Sequence, residues 1–251
     1  MLPHLHIGPI TLQTFGICFG VGFLAAGAVI ARRLGELGRP RDWAYEMIFA
    51  GLVGGLVGAR LDYIVQNWSK VSHDLLGNLF SGSGLVWYGG VVGGVIGVCL
   101  WAWRRGFLGL ALLDLAAVPL ALGYAIGRIG CQLSGDGDYG KVWDGPWAMA
   151  YPKGTVPTTH KVHPTPVYET VAVGLIALLL WQLRDRLRPG AIFALYLVLT
   201  GLERLLVEFI RRNPEEALGL TLPQLVSIPM VIAGCAWLIL ARTSRPVPSV
   251  T

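Results

Sequence analysis

Seven apolar stretches alternate with short polar ones along this chain. At 14–33, 43–65, 85–103, 108–128, 166–183, 190–210 and 223–241 the side chains are apolar with few interruptions. Each stretch is roughly 20 residues long, enough for an α-helix to cross the hydrocarbon of a bilayer. Glycines dilute the second and third. Residues 66–84 have the mixed character of a segment lying on a surface. The one long polar connection, 131–165, is rich in Gly, Pro, Asp and Trp and reads as an ordered, functional loop. With no break in composition, residues 1–251 are expected to form a single polytopic membrane domain of the all-α class: seven transmembrane helices with an ordered loop, 131–165, between the fourth and fifth.

Composition sharpens this. Of 251 residues 54% are hydrophobic and only 14% charged, too few to cover a soluble domain of this size. Arg32, Arg33, Arg39, Arg41, Arg104, Arg105, Arg184, Arg186, Arg188, Arg242 and Arg245 all fall on one side of a seven-span topology. Lys70, Lys141, Lys153, Lys161, Arg211 and Arg212 fall on the other. Cytoplasmic loops collect such cations, so the N-terminus and the 131–165 loop are expected outside and the C-terminus in the cytoplasm. The net charge of +5 then reports orientation in the bilayer and not a nucleic-acid partner. "MLPHLHIGPI" has no basic region ahead of an apolar core, hence no cleavable signal is expected. Cys18, Cys99 and Cys235 lie inside spans and Cys131 at the outer edge, with no spacing that implies a disulfide or a metal site; no cofactor is expected.

The 34 glycines are concentrated in "GLVGGLVG" (51–58) and "GGVVGGVIG" (89–97). Their overlapping GxxxG pairs predict close packing of the second and third spans, because in lipid helices associate through backbone contact and not through loss of water. Missing side chains also leave room for a lipid tail, and the two roles are compatible.

Three arginines, Arg60, Arg128 and Arg204, break the apolar spans, each costing about 2.5–3.5 kcal/mol at a helix centre. The topology brings all three near the outer end of their spans, and Arg211 continues the stripe. A guanidinium stays charged when desolvated and presents a planar fork of donors to phosphate, so arginines at headgroup depth suit a phospholipid. Acids share the level. Glu208 is i+4 from Arg204 and i−3 from Arg211, Glu203 lies beside that face, Asp62 follows Arg60, and Glu169 opens the fifth span. Pairing offsets part of the desolvation cost while leaving donors for an anion; Glu208 is read as charge neutraliser or base. Asp114 and Glu46 read as structural.

The most telling stretch is "GRIGCQLSGDGDYG" (127–140). Gly127 and Gly130 flank Arg128 so that backbone can approach a ligand, and the later glycines permit turns with positive φ whose N–H groups can form an anion-binding nest. Asp136 and Asp138 can orient arginines, cap the loop or accept a proton.

This stretch resembles the signature of bacterial prolipoprotein diacylglyceryl transferases. Other segments match in the same order: "IGPITLQTFGICFGVGF" (7–23) is similar to the family's first span, "GARLDY" (58–63) to its second, and "YGGVVGG" (88–94) sits where the family has His-Gly-Gly. "HPTPVYE" (163–169), "GLERLLVEFIR" (201–211) and "LPQLVSIPM" (222–230) complete the resemblance, which covers nearly the whole chain. It implies a seven-helix inner-membrane enzyme with a site facing the periplasm. Its partners would be phosphatidylglycerol, a prolipoprotein signal peptide with a lipobox cysteine, and the bilayer. The diacylglyceryl group moves to that cysteine, a thioether forms and glycerol phosphate leaves.

The resemblance maps the family's essential signature arginine to Arg128 and its sixth-span arginine to Arg204; together with the reading of the residues above, Arg128, Arg204, Tyr88, His163 and Glu208 are the catalytic candidates. Arg60, Gly89, Gly90, Cys131, Gly135, Asp136, Asp138, Gly140, Tyr168, Glu169 and Arg211 are the candidates for binding substrate. Two positions depart from the family: Tyr88 replaces the His of His-Gly-Gly and Cys131 the signature Asn. A tyrosine, with an ordinary pKa of about 10, is no base at neutral pH, which leaves His163, Glu208 and Asp138, in that order, as base candidates. A field of arginines also favours a thiolate without a dedicated base. The alternatives are a paralogue with the same phospholipid site but another acceptor or no activity, and a lipid transporter. Against the transporter stand the lack of inverted halves and of an acidic chain across the bilayer.

Overall fold

A computed structural model describes residues 1–8, 10–68 and 86–243. Each of the seven apolar stretches is helical: α1 (Thr14–Glu36), α2 (Trp43–Gln66), α3 (Trp87–Arg104), α4 (Leu110–Ser134), α5 (Thr165–Leu183), α6 (Ala191–Glu208) and α7 (Leu222–Thr243). By length and composition α1, α2, α4, α5 and most of α7 can cross a membrane; α3 and α6 are 18 residues each. Large apolar side chains such as Phe19, Leu24, Leu175 and Ile239 point outward, the arrangement expected when the solvent is lipid. Three two-stranded antiparallel hairpins punctuate the helices: β1 (His4–Ile7) with β2 (Ile10–Gln13), β3 (Met149–Tyr151) with β4 (Thr158–Val162), and β5 (Glu215–Ala217) with β6 (Leu220–Thr221). The surface segment expected at 66–84 lies, beyond residue 68, outside the described residues, as do Lys70 and Arg245.

The chain divides into two compact units, Ile30–Leu112 and the remainder. In the first, α2 and α3 meet along their glycines. A Cβ added at Gly58 would collide with the Gly89 carbonyl oxygen and lie 2.8 Å from the Cα of Gly93. One added at Gly54 would lie 3.1 Å from the Cα of Gly97. Backbone therefore touches backbone, as the GxxxG pattern predicts. Gly58→Leu is expected to separate the two helices and lower the unfolding midpoint in detergent, by an overpacking cost of about 1–3 kcal/mol or more; a thermal melt of the purified variant checks this.

At the other end of this pair Glu46 accepts hydrogen bonds from Trp101 Nε1 (2.8 Å) and from Arg105 Nε (2.9 Å) and Nη2 (2.5 Å). Trp43 packs edge-on to Trp101 and Phe107 beside them. Asp62 accepts from the Gly89 backbone N–H and from Gln66 Nε2, both at 3.0 Å. Its carboxylate is thus anchored at the start of α3, a partner that pairing with Arg60 did not anticipate.

In the larger unit α4 and α5 pack through Ala121, Ala125, Val173 and Ala177, small residues that let helices approach. Gly201 of α6 faces Ser227 and Val231 of α7, and Gly234 of α7 faces Ala194 and Val198 of α6. Asp114 bridges α4 to the start of α6. Its carboxylate accepts from the backbone N–H of Gly190 (2.6 Å) and Phe193 (3.0 Å), donors that no intrahelical carbonyl can reach. The structural reading of Asp114 and Glu46 holds.

One boundary differs from expectation. α4 does not stop at 128 but continues to Ser134, so Cys131 is on its last turn and the long connection begins at 135. Packing carries the helix onward, because the bare side of Gly130 lies against Cys18 and Phe15 of α1. Gly130 thus admits a neighbouring helix, whereas backbone approach by a ligand was expected there. Gly135, at φ 60°, ends α4 with its N–H on the Cys131 carbonyl (2.9 Å), a left-handed glycine stop. The N-terminus is fastened to the same end by the Leu2 N–H donating to the Leu133 carbonyl (2.9 Å).

Candidate functional site

The turn after α4 holds the signature residues in place. Gly137 has φ 98°, a conformation open to glycine at little cost. The Asp138 N–H donates to Asp136 Oδ1 (3.2 Å), and the Gly140 N–H to the His163 carbonyl (2.8 Å). Together with Gly135, three amides of the turn are spent on the protein itself, which leaves fewer for the anion-binding nest expected there. Gly135 and Gly140 are sites of close packing: the former faces Gly154, the latter the Ile210 carbonyl, His163 and Thr165.

What the turn does is place Asp138 among arginines. Arg128, from the last turns of α4, pairs with Asp138 through Nη1, and its Nε lies 2.6 Å from Glu169 Oε2. Arg211, just past α6, spans the same two acids, with Nη2 2.5 Å from Asp138 Oδ1 and Nη1 2.6 Å from Glu169 Oε1. Arg204 of α6 contributes Nη1, 3.6 Å from Glu169 Oε2, and Nη2, 3.1 Å from Glu208 Oε2. The Glu169 and Glu208 side chains are 0% exposed and that of Arg211 is 6% exposed. Glu169, on the first turns of α5, is the hub: three guanidiniums converge on it, and the Tyr124 hydroxyl donates to it as well.

The Arg–Glu–Arg face read along α6 is present, with Glu208 between Arg204 and a more distant Arg211 Nε (3.9 Å). Burial pushes the Asp138 carboxyl up, but Arg128 and Arg211 outweigh it and hold the group below the ordinary carboxylate range. Asp138 is therefore an anion at neutral pH, clamped by two forks. Three cations and three carboxylates form a buried network of the kind that is costly to interrupt. Its donors are not all spent: the buried Nη1 of Arg204 makes no hydrogen bond within the chain among the described residues.

Beside the network, the Cys131 thiol lies 3.8 Å from Arg128 Nη1. Burial raises the neighbouring Asp136 carboxyl above its usual range. The Cys131 sulfur and the carboxylates of Asp136 and Asp138 lie within 4.8 Å of one another, a spacing that a cation could use. Both oxygens of Asp138 already face guanidiniums, however, and a cation there would sit among like charges. The donor set does not fit a metal ion.

His163 and Tyr168 stand in a different setting. His163 stacks on Trp143 at 4.3 Å, its Nδ1 is 3.4 Å from the Tyr168 hydroxyl, and that hydroxyl accepts from Trp147 Nε1 (2.8 Å). These rings, with Met149, Pro164, Val167 and Ile210, line an apolar cavity of about 540 Å³. Partial burial pushes the His163 pKa below that of a free imidazole, so the ring is neutral at neutral pH.

Arg60, Tyr88, Gly89 and Gly90 belong to the smaller unit. Arg60 is buried with its guanidinium 5.2 Å from the Tyr63 ring, Gly89 and Gly90 are in the α2–α3 contact, and Tyr88 is exposed.

Sequence reasoning passed over three contributors. Tyr124, one turn before Arg128, carries that guanidinium on its ring (4.8 Å) as well as bonding Glu169. Asn213 donates to Glu208 Oε1 (2.5 Å), and Trp143 supports His163. The first had a signal, an aromatic four residues from an arginine in an otherwise apolar helix. The other two depend on loop paths.

Residues 3–240 match the family described as prolipoprotein diacylglyceryl transferase. Similar proteins include the phosphatidylglycerol–prolipoprotein diacylglyceryl transferase of Clostridium tetani, 32% identical over 88% of this chain and 89% of that protein. The proteins of the same name from Chromohalobacter salexigens (33%, over 93% and 90%) and Burkholderia ambifaria (31%, over 97% and 95%) are similarly close. The ordered motifs, the gathered arginines and these near full-length matches agree: the chain belongs to the prolipoprotein diacylglyceryl transferase family.

Proposed function

We propose that this chain transfers the diacylglyceryl group of phosphatidylglycerol to the lipobox cysteine of a prolipoprotein. The observation that carries the reading is the convergence of Arg128, Arg204 and Arg211 on Glu169, with a buried Arg204 donor unspent. In the reaction the lipobox sulfur forms a bond to the glycerol carbon and the bond from that carbon to the phosphate oxygen breaks. The electron pair leaves on glycerol phosphate, so negative charge grows at the phosphate. Fixed cations in a site poor in water stabilise that charge more than they do the diester. Substrate phosphate competes with the carboxylates for guanidinium donors, while Glu169 and Glu208 keep the cations in position before it arrives.

The thiol proton needs an acceptor. Of the candidates, Asp138 and Glu208 are engaged by arginines, which favours the neutral imidazole of His163 as the base; Tyr88 is left to contact substrate. Within the smaller unit Arg60, Gly89 and Gly90, and within the larger the turn residues Cys131, Gly135, Asp136 and Gly140, are each assigned to substrate, with Tyr168 supporting His163. All seven helices serve as spans of one polytopic domain in the bacterial inner membrane. The basic residues favour a periplasmic N-terminus and site and a cytoplasmic C-terminus.

The test uses the purified protein with phosphatidylglycerol and a lipobox peptide, reading thioether by mass spectrometry and glycerol phosphate by its release. Both products are expected in equal amounts. Headgroup loss to another acceptor, or lipid movement with the headgroup retained, would overturn the reading.

A further inference from the structure

Behind the arginine network, toward the turn, lies a second and smaller cavity of about 300 Å³, lined by Gly137, Tyr139, Arg211, Arg212 and Asn213. Its character is opposite to that of the aromatic cavity, for two of its five residues are arginines and none carries a carboxylate. Arg211 belongs to the network; Arg212 does not. The Arg212 guanidinium lies over the Tyr139 ring at 4.3 Å. That ring is itself held: it stacks with Tyr151 at 4.8 Å, and its hydroxyl donates to the Val156 carbonyl (3.1 Å). Tyr151 is fixed in turn by donating to Gln132 Oε1 (2.8 Å). An exposed arginine seated on a buried, anchored ring loses little further freedom when it takes a ligand, and its in-plane donors stay available. Gly137, whose bare side packs against Val156, brings backbone to this wall.

We propose that this cavity is a subsite for a phosphate group, held by Arg212 beside the cationic Arg211, which receives the glycerol phosphate released at the arginine network. The inference rests on the proposed function for the identity of the ligand, and on geometry alone for its charge. The volume is at the small end of ligand cavities; it suits a phosphate carrying a three-carbon alcohol and not acyl chains. Because Arg211 faces both the network and the cavity, a phosphate leaving Glu169's neighbourhood passes from one arginine pair to the next without crossing uncharged ground. A lipid headgroup awaiting reaction offers the same chemistry, so the experiment separates the two sources.

Thioether formation is measured in nanodiscs for the wild type, Arg212→Gln and Arg212→Lys, with added sn-glycerol 1-phosphate and with varied phosphatidylglycerol. The expected result is product inhibition in the wild type that weakens about tenfold in Arg212→Gln, the size of one charge-assisted hydrogen bond, with Arg212→Lys between. A raised KM for phosphatidylglycerol with unaltered product inhibition supports the same subsite but makes the lipid headgroup its occupant. Inhibition and KM both unchanged overturn the proposal. Phosphorus line broadening of inorganic phosphate, compared between wild type and Arg212→Gln, reads the site without turnover. Broadening that depends on Arg212 in a protein that forms no thioether would retain the anion site while removing the proposed reaction; broadening equal in both proteins removes the site.

Discussion

Arg128→Ala is expected to lower thioether formation by about a hundredfold to a thousandfold, the usual cost of removing one preorganised donor from a developing anion. The residue unites the parts of the network: its Nε meets Glu169, its Nη1 meets Asp138, and its face rests on Tyr124. The loss should appear mainly in kcat, because the charge on the phosphate grows in the transition state and interactions made only there act on kcat. Arg128→Lys separates charge from shape, since an ammonium keeps the cation but lacks the planar fork that spans two acids at fixed spacing. It should recover only a small part of the loss. Fold is the necessary control. In Arg128→Ala, Glu169 still has Arg204, Arg211 and Tyr124, so the unfolding midpoint should fall far less than activity does. Activity above a tenth of wild type in a folded Arg128→Ala protein would remove this arginine from the chemistry.

The network explains why the arginines are affordable in an apolar setting. Isolated, each would draw water or a lipid headgroup inward. Clustered on Glu169 with Asp138 and Glu208, they balance one another's charge before any substrate is present. The cluster is strong enough to be buried, and Arg204 keeps a donor for a ligand. A site of this kind binds an anion by exchange of partners and not by filling an empty field, so removing an acid and removing an arginine should have opposite effects on affinity for phosphate.

Much of this was legible in the sequence, for identifiable reasons. A stretch long and apolar enough to cross a bilayer leaves a strong hydropathy signal, so hydropathy locates the helices α1 to α7 to within a few residues, the end of α4 apart. The GxxxG runs specify the α2–α3 contact because only glycine allows two backbones that close. Arg204 and Glu208 are one helical turn apart, and their 3.1 Å pairing follows from that spacing alone. Partners across elements were not legible. Glu169 and Arg211 are 42 positions apart, and nothing in local spacing says that the start of α5 lies against the residue after α6. Asp62 illustrates the same limit, for its carboxylate turned out to anchor Gly89 on the next helix. The end of α4 was misjudged because polar residues and glycines suggested a loop at 131, while tertiary contact with α1 at Gly130 extended the helix by a turn and a half. The aromatic cavity and the Arg212 cavity both depend on the path of the chain between α4 and α5 and beyond α6, which composition does not encode.

Glu169→Gln is expected to be the most destabilising single change in the molecule. The carboxylate is fully buried, and its two oxygens face Arg128, Arg204 and Arg211. Glutamine keeps the shape and an acceptor for Tyr124, but it removes the charge that balances three cations and turns an amide donor toward one of them. Breaking a buried pair by deleting one partner costs about 3–5 kcal/mol, on the order of a 10 °C loss in unfolding midpoint for a chain this long. A diagnostic consequence follows from the proposed exchange of partners. With Glu169 neutralised, the guanidiniums gain affinity for any other anion, so added phosphate or phosphatidylglycerol should restore part of the lost stability. By linkage, an anion at a hundred times its dissociation constant returns about 2.7 kcal/mol. Wild type, whose cations are already paired, should respond much less. The measurement is a thermal melt in detergent at constant ionic strength, with phosphate replacing chloride. A variant that melts with wild type would show that Glu169 does not balance the cluster, and a destabilised variant indifferent to phosphate would show that the cluster holds the fold without being an anion site.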